Sequence, residues 1–563
     1  MSNAVFSGVT RFAPEGNLFA GIYNWILNLK RGRALLFAFG MGAIANLSFA
    51  PVYLWPVMAI SLSSLIWLLD GATLQAKPRA SAFWRGLSFA FGQFSIGFHW
   101  VAFAFLVDPA RDFIFIWLSL LLPAGLAVIW GGVIWALIHV WPRGPARAVM
   151  AALAIFIAEW MRGHLFGGFP WNIPTMIWAP GGAVSQSVAL FGAWGLSLLT
   201  VLLCAAPAAL CDMRLKQGND MLGRAIPVIA AVMVFGMLWG WGSNRLASGS
   251  SEVFGPSVRL VDVGTPQGEK TRDRTAAGRM LNRYLTLTGP DTPNNPDIVI
   301  WPEGAIPVPL AQRPDALEPV AEFLGSRRLL VGTVYEYRQT HPVRWHNALV
   351  VLTQDSSIKG PEATYFKHRL VPVGEMVPFR DIMSKIGIRA LQQIATSGFY
   401  PGQPPDYISV EGVPDFQPLI CYEALFPGLL PKRKLASSSR PGEGDRADWI
   451  VNISIDAWFG PLWAPKQHLE HARYRAIEEG LPMVRVASRG ISGVVDAYGR
   501  ITKVAEPVDE QRFGADPPGW KGRVVDAQIP AKLASTMYSR TRELILLGLI
   551  LAVVVFGVIL PRN

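Results

Sequence analysis

Cys421 closes an apolar run, "PLICYEALFPG" (418–428), and is followed by Tyr422 and Glu423. Two other residues of matching chemistry also follow apolar runs: Glu303 after "DIVIWP" and Lys367 after "ATYF". A thiol with a pKa of about 8.5 is mostly protonated at neutral pH, so it needs a base or a nearby cation to act as a nucleophile. A carboxylate shielded from water can be that base. An ammonium can stabilise the negative oxygen that develops during acyl transfer. Together the three types fit one mechanism. Taken singly, each has a plainer reading: a small core cysteine, a solvated glutamate, a solvated lysine. Periodicity alone does not bring them together in space.

The elements that must position them come next. From residue 257 onward, strand-like runs alternate with helix-like ones. "VRLVDV" and "DIVIW" flank a polar helical stretch at Thr271 to Thr288. Further strands are predicted at "RRLLVGTVY", "HNALVVLT", "ATYFKH", "QPLICY", "DWIVNIS", "MVRVAS" and "SGVVDA", and a helix over Lys466 to Glu479. This alternation predicts an α/β layered domain. In such folds functional groups sit at strand ends, where the following loop opens the site.

The rest of the chain is different. The protein has 563 residues and is 51% hydrophobic and only 16% charged, against about a quarter in ordinary soluble proteins. Its mean hydropathy is +0.31. Eight candidate spans fall at 32–50, 53–71, 86–107, 113–141, 147–163, 187–210, 224–242 and 544–560. Cations gather in alternate loops: Lys30, Arg31 and Arg33; Lys77, Arg79 and Arg85; Arg143 and Arg147; Arg214, Lys216 and Arg224. Between them, 50–52 has none and 107–112 only Arg111. That alternation predicts cytoplasmic termini and places residues 243–540 on the other side of the membrane. The expected organisation is a cytoplasmic segment at 1–31, a membrane domain with seven helices at 32–242, a water-facing catalytic domain at 243–540, and a last helix and tail at 541–563. The net charge of +11 is spent on topology, and with no nucleic-acid motif present no nucleic-acid partner is expected.

Within the membrane half, Glu159 is the main charged exception, either a functional carboxylate or a partner for Arg162 one turn away. The loop "FGGFPWNIP" (166–174) suits either a re-entrant segment beside the soluble domain or an aromatic belt. Cys204, Cys211 and Cys421 form no disulfide framework. His468, Glu470 and His471 share a predicted helix, yet no further ligand is visible, so neither metal nor cofactor is expected. The stretch 432–446 is rich in Ser, Gly and Arg and reads as an exposed loop.

Four blocks carry a resemblance: "WPEGAIP" (301–307), "KHRLVPVGEMVPFR" (367–380), "ICYEALFP" (420–427) and "NISIDAWFG" (452–460). They resemble the signature blocks of the carbon–nitrogen hydrolase, or nitrilase, superfamily, and more narrowly the apolipoprotein N-acyltransferases of bacterial envelopes. "FAPVYLWP" (49–56), "GFPW" (168–171), "QHLEHARYRAIEEG" (467–480) and the eight-span layout are similar too. The resemblance implies a multi-span helical membrane domain joined to an α-β-β-α sandwich with a Glu303–Lys367–Cys421 triad. It implies that Glu375 supports the lysine and that Tyr422 and Glu423 lie near the active-site mouth.

The implied reaction passes an acyl chain from a phospholipid, through a cysteine thioester, to the amine of an S-diacylglyceryl cysteine on lipoproteins. The implied setting is a Gram-negative inner membrane, with the catalytic domain in the periplasm, and a monomer is expected. The alternative is a membrane-tethered amidase that uses water as acceptor. The chain departs from the family at Ile455, where Asn is usual, at "VGTPQGEK" (263–270), which lacks a nearby tryptophan, and at "RVASRGISG" (485–493).

Overall fold

The computed structural model describes residues 18–107, 109–211, 221–249, 253–266, 276–340, 343–372, 374–376, 398–431, 446–508 and 521–560. The stretches 267–270, 377–380 and most of 432–446 lie outside the described residues.

Apolar helices build the first half of the chain. Among the described residues, four are long and apolar enough to cross a membrane: Phe113–Val140, Ala146–Gly167, Val184–Leu210 and Gly223–Ala247. Pro78–Gly97 and His99–Leu106, bent by 47° at the break between them, count as a fifth if they form one span. Pro56–Ala72 and Glu543–Ile559 are apolar but shorter. At 17 residues each, they rise about 26 Å, less than the roughly 30 Å of a hydrocarbon core. The first expected span is helical only over Arg31–Ile44 and then tightens into a 3₁₀ turn. Val184–Leu210 has 72% of its apolar window buried, against 17% for Phe113–Val140 and Gly223–Ala247, so it is the central helix and they are peripheral.

Two buried carboxylates of this half are paired with arginines. Glu159 accepts from Arg162 (Nε to Oε1, 2.8 Å) and from the Trp130 indole (3.0 Å), so the pairing reading of Glu159 holds. Asp70, which the hydropathy reading passed over, is buried as well. It faces Arg147 Nε at 3.3 Å and accepts from Tyr23 and Trp141.

The second half contains two sheets. One has the strand order β12-β13-β1-β2-β3-β4-β5, the other β11-β10-β9-β8-β7-β6. In chain order these are β1 (Val253–Asp262), β2 (Ile298–Trp301), β3 (Arg328–Tyr337), β4 (Arg344–Leu352), β5 (Ala363–Phe366), β6 (Ile408–Val410), β7 (Val413–Ile420), β8 (Trp449–Ile455), β9 (Met483–Ser488), β10 (Gly493–Val495), β11 (Ile501–Val504), β12 (Glu506–Pro507) and β13 (Arg523–Pro530). β1, β2 and β3 run parallel, as do β7, β8 and β9. Strands covered on both faces need unbroken apolar runs, which is why "DIVIW" and "QPLI" do not alternate. Ile300, Leu330 and Leu349 of one sheet meet Ile420, Val451 and Val486 of the other in a shared core. Helices Ala276–Thr288 and Pro314–Leu324 cover the outer face of the first sheet.

The outer face of the second sheet is covered by the helix Ala464–Glu479, through Ala472 and Ala476. This helix is polar in sequence yet buried along most of its length. Its polar groups find partners in the membrane half. Trp171 Nε1 donates to Gln467 Oε1 (3.0 Å), Gln467 Nε2 to the Ala50 carbonyl (3.0 Å), the Asn172 N–H to His471 Nε2 (3.1 Å), the Tyr474 hydroxyl to the Thr175 carbonyl (2.9 Å), and the Ala193 N–H to Glu478 Oε1 (2.7 Å). Buried polar groups are tolerated only when bonded. The helix is thus a hydrogen-bonded seam between the two halves. The 166–174 loop is one bank of that seam, with Arg162 Nη1 holding the carbonyls of Phe169 (2.6 Å) and Trp171 (3.0 Å).

Candidate active site

Three strand ends converge. Glu303 stands two residues beyond β2, Lys367 directly after β5 and Cys421 directly after β7. Lys367 is 1% exposed and its ammonium lies 3.1 Å from Glu303 Oε1 and 2.8 Å from Glu375 Oε1. Cys421 is buried within electrostatic reach of both Glu303 and Lys367. The backbone admits this crowding at Gly332 on β3. A Cβ there would stand 2.4 Å from the Glu303 Cα and 2.7 Å from the Pro302 carbonyl oxygen, so only glycine lets β3 pass behind the glutamate.

Asn347, on β4, completes the cluster. Its amide donates to Glu303 Oε1 (2.6 Å) and to Glu375 Oε1 (3.0 Å). The sequence reading missed it, although an amide inside the apolar run "HNALVVLT" was a signal: a buried amide needs partners. The second oxygen of Glu375 is fixed by the Val371 N–H at 2.9 Å. The second oxygen of Glu303, Oε2, is buried and has no hydrogen-bond partner among the described residues.

The electrostatics follow from burial and spacing. Burial alone would lower the Lys367 ammonium, but the Glu303 and Glu375 carboxylates outweigh it and hold it well above the usual lysine range. Burial pushes the Cys421 thiol well above the ordinary thiol range, Glu303 pushes the same way, and Lys367 only partly opposes them. The resting Cys421 side chain is therefore a neutral thiol, which would have to lose its proton to act as a nucleophile. Cys421 also sits on a strained turn, since its φ is 51°, a left-handed conformation that side chains with a Cβ rarely adopt.

Tyr422 and Glu423 are placed otherwise than at a mouth. Glu423 is fully buried, accepting from the Tyr365 hydroxyl (2.6 Å) and from the backbone N–H groups of Ile420 (2.7 Å), His368 (2.8 Å) and Arg369 (3.1 Å). It braces the nucleophile turn against the Lys367 loop, because a carboxylate there satisfies donors that neither loop could otherwise pair. Tyr422 is buried too, and its hydroxyl donates to the Gly168 carbonyl, tying the nucleophile turn to the membrane half. His468, Glu470 and His471 do not converge. His468 faces Asp456, His471 takes the Asn172 N–H, and Glu470 pairs with Arg473 (2.7 Å). Ile455 ends β8 and is the last residue before the turn that carries Asp456.

Chemically, the arrangement offers an acyl-accepting thiol, a carboxylate oxygen free to take its proton, and a fixed ammonium for an oxyanion. Residues 292–535 match the carbon-nitrogen hydrolase family, and residues 41–206 match the apolipoprotein N-acyltransferase N-terminal domain. Among similar proteins are the apolipoprotein N-acyltransferases of Caulobacter vibrioides (36% identical over 92% of this chain and 93% of the relative), Bradyrhizobium diazoefficiens (35% over 92% and 94%) and Rhodopseudomonas palustris (34% over 89% and 90%).

Proposed function

The chain belongs to the apolipoprotein N-acyltransferase family, and from that premise we propose how it works as a membrane acyltransferase of lipoprotein N-acylation. Glu303 takes the thiol proton on its open Oε2 while Cys421 attacks an ester carbonyl of a phospholipid. Lys367 and a backbone N–H at the nucleophile turn hold the oxyanion. Glu303 passes that proton to the departing alkoxide, so a lysophospholipid leaves and a thioester remains. The α-amine of an S-diacylglyceryl cysteine then attacks the thioester, Glu303 takes the proton that the amine loses and returns it to the departing Cys421 thiolate, and the reaction is ping-pong. Glu375 and Asn347 keep Lys367 and Glu303 in register throughout.

One observation carries this reading: the nucleophile turn is hydrogen-bonded to the membrane half through Tyr422 and Gly168. A thiol fixed at that boundary suits substrates whose chains stay in the bilayer, and a soluble amidase would have no use for the contact. The layering of two sheets between helices supports the α-β-β-α sandwich. The loop-charge alternation supports eight spans, cytoplasmic termini, a periplasmic catalytic domain at 243–540 and an inner-membrane location. One chain supplies every group the mechanism uses, so a monomer suffices. Incubation of the intact protein with acyl-labelled phospholipid, followed by mass spectrometry of the Cys421 peptide, tests the reading. A hydroxylamine-labile acyl group on Cys421, discharged by a diacylglyceryl peptide, is expected. Release of free fatty acid at the same rate without that peptide would instead favour the water-using amidase.

A further inference from the structure

Behind the nucleophile lies a second polar cluster that the mechanism above does not use. His468, on the helix Ala464–Glu479, is fully buried. Its Nε2 stands 3.2 Å from the Cys421 carbonyl oxygen, and its Nδ1 stands 2.9 Å from Asp456 Oδ1 and 3.1 Å from Arg485 Nη2. Arg485 donates to both oxygens of Asp456, at 3.0 and 2.9 Å, and also to Asn452. Ser454 donates to Asp456 at 2.7 Å. The ring is wedged between Trp171, stacked at 5.7 Å, and Phe459, edge-on at 5.1 Å. A Cβ on Gly490 would come within 2.3 Å of Asp456 Oδ2, so the chain passes too close behind the carboxylate for any larger residue.

A carbonyl oxygen only accepts, so the 3.2 Å contact is a hydrogen bond in the states where His468 Nε2 carries a hydrogen: the neutral ring with Nδ1 accepting from Arg485, or the charged ring with Nδ1 donating to Asp456. In a trans peptide the C=O and the following N–H point in opposite directions. Fixing the Cys421 carbonyl toward His468 therefore turns the Tyr422 N–H to the other side of the turn. Glu423 ties the turn to His368 and Arg369, next to Lys367. Tyr422 lies in the first turn of the 3₁₀ segment Cys421–Leu425, where N–H groups have no partner within the helix. The left-handed φ of Cys421 also needs an outside hold.

We infer that His468, held by Asp456 and Arg485, is a positioning residue for the oxyanion site: it pins the Cys421 carbonyl and thereby aims the Tyr422 N–H at the reacting carbonyl oxygen. The inference rests on the acyl-enzyme reading above, which supplies the oxyanion. Ser454, which donates to Asp456, also hydrogen-bonds the Cys421 thiol, so thiol reactivity is followed separately by alkylation.

The test compares two reactions of the same thiol in the full-length protein. Alkylation by iodoacetamide is a direct displacement with no oxyanion; acylation by phospholipid forms one. His468→Asn withdraws the Nε2 donor, and His468→Gln restores an N–H at nearly that position. His468→Asn should lose about 100-fold in acylation and in transfer to the diacylglyceryl peptide, the usual cost of one oxyanion donor, while alkylation stays within about twofold. His468→Gln should recover at least about tenfold of that loss. Should His468→Asn fail to fold, Gly490→Ala displaces Asp456 from behind and should show the same selective loss, smaller in size. Alkylation falling in step with acylation, equal rates in the Asn and Gln variants, or unchanged acylation would each overturn the inference. Running p-nitrophenyl octanoate as a second acyl donor keeps the comparison decisive if the wild-type protein takes no acyl group from phospholipid, a result that would sink the donor assignment alone.

Discussion

Glu159 and Glu303 are both buried glutamates beside a cation, one in the membrane half and one in the catalytic half, and they differ in what is left over. At Glu159 both oxygens are taken, Oε1 by Arg162 and Trp130 and Oε2 by Arg162 again. The remaining guanidinium donors hold backbone carbonyls of the 166–174 loop. At Glu303 the cation is a lysine, which offers one point of contact rather than a fork. Oε1 receives Lys367 and Asn347, and Oε2 receives nothing among the described residues. A closed set of hydrogen bonds makes a fastener; at Glu303 the open oxygen belongs to a carboxylate within electrostatic reach of the Cys421 thiol, which suits it to the proposed role of base. An open oxygen alone does not distinguish structure from chemistry, since Glu470 Oε1 and Glu478 Oε2 also lack a hydrogen bond.

The largest effect should come from closing that open oxygen. We predict that Glu303→Gln lowers acyl-enzyme formation by about 10²–10⁴-fold, the range typical of a lost general base, with little change in melting temperature. A rate near wild type in single-turnover measurements would mean that another group takes the proton. Lys367→Met should cost at least about 100-fold in both acylation and transfer, and Lys367→Arg should rescue little, because a planar fork does not fit a point-charge site. Slowing of the first step alone would move the lysine to thiol activation or donor binding.

Glu159→Gln should behave in the opposite way. It leaves Arg162 buried without its anion, so it should cost about 3–5 kcal/mol of stability while the protein that remains folded still acylates Cys421. Denaturation in a single detergent, read against acyl-enzyme per folded molecule, separates the two; a chemistry defect without a stability defect would break the contrast. Asn347→Ala removes a hydrogen bond to a charged group, worth about 1.5–3 kcal/mol, and should slow acylation about 10- to 100-fold without abolishing it. The smallest effect concerns pH. Burial, helped by the nearby Arg475, His468 and Arg162 charges, holds His471 well below the usual histidine range, so it stays neutral to accept from Asn172. The unfolded chain binds a proton there below about pH 6.5 and the folded one does not, so stability should fall as pH drops from 7 toward 5. The slope should flatten in His471→Gln, which keeps an acceptor but does not titrate; an unchanged melting curve slope would remove His471 from the account.

The sequence made the catalytic half readable because its strands are short apolar runs with reactive residues at their ends. "DIVIW", "ATYF" and "QPLI" lie at β2, β5 and β7, and the helix expected from Lys466 begins at Ala464. What it hid was long-range and polar. Asn347 sits inside a strand, where one residue says nothing about what faces it across a sheet. Asp456, His468 and Arg485 come from three separate elements, and the spacing of His468 to His471, considered and set aside as a metal site, says nothing of them. Asp70 and Arg147 are 77 positions apart, beyond the reach of helical spacing. β13, which pairs with β1 from the far end of the domain, was not read as a strand although the turn signal "PPG" (517–519) stands just before it, because a short strand names no partner in sequence. Hydropathy placed the helices but not their lengths, since a window cannot tell a full crossing from the 17-residue helix Pro56–Ala72.

The polar seam along Ala464–Glu479 also sets a timetable. The Thr175 carbonyl is synthesised 299 residues before the Tyr474 hydroxyl that bonds it. At about 5–20 residues per second, translation separates the two by roughly 15–60 s. For that interval the 166–178 stretch holds carbonyls and indoles whose partners do not yet exist. The membrane half is thus finished late, by a helix from the carbon–nitrogen hydrolase half, and a ribosome stalled before residue 464 would leave it open along that one edge.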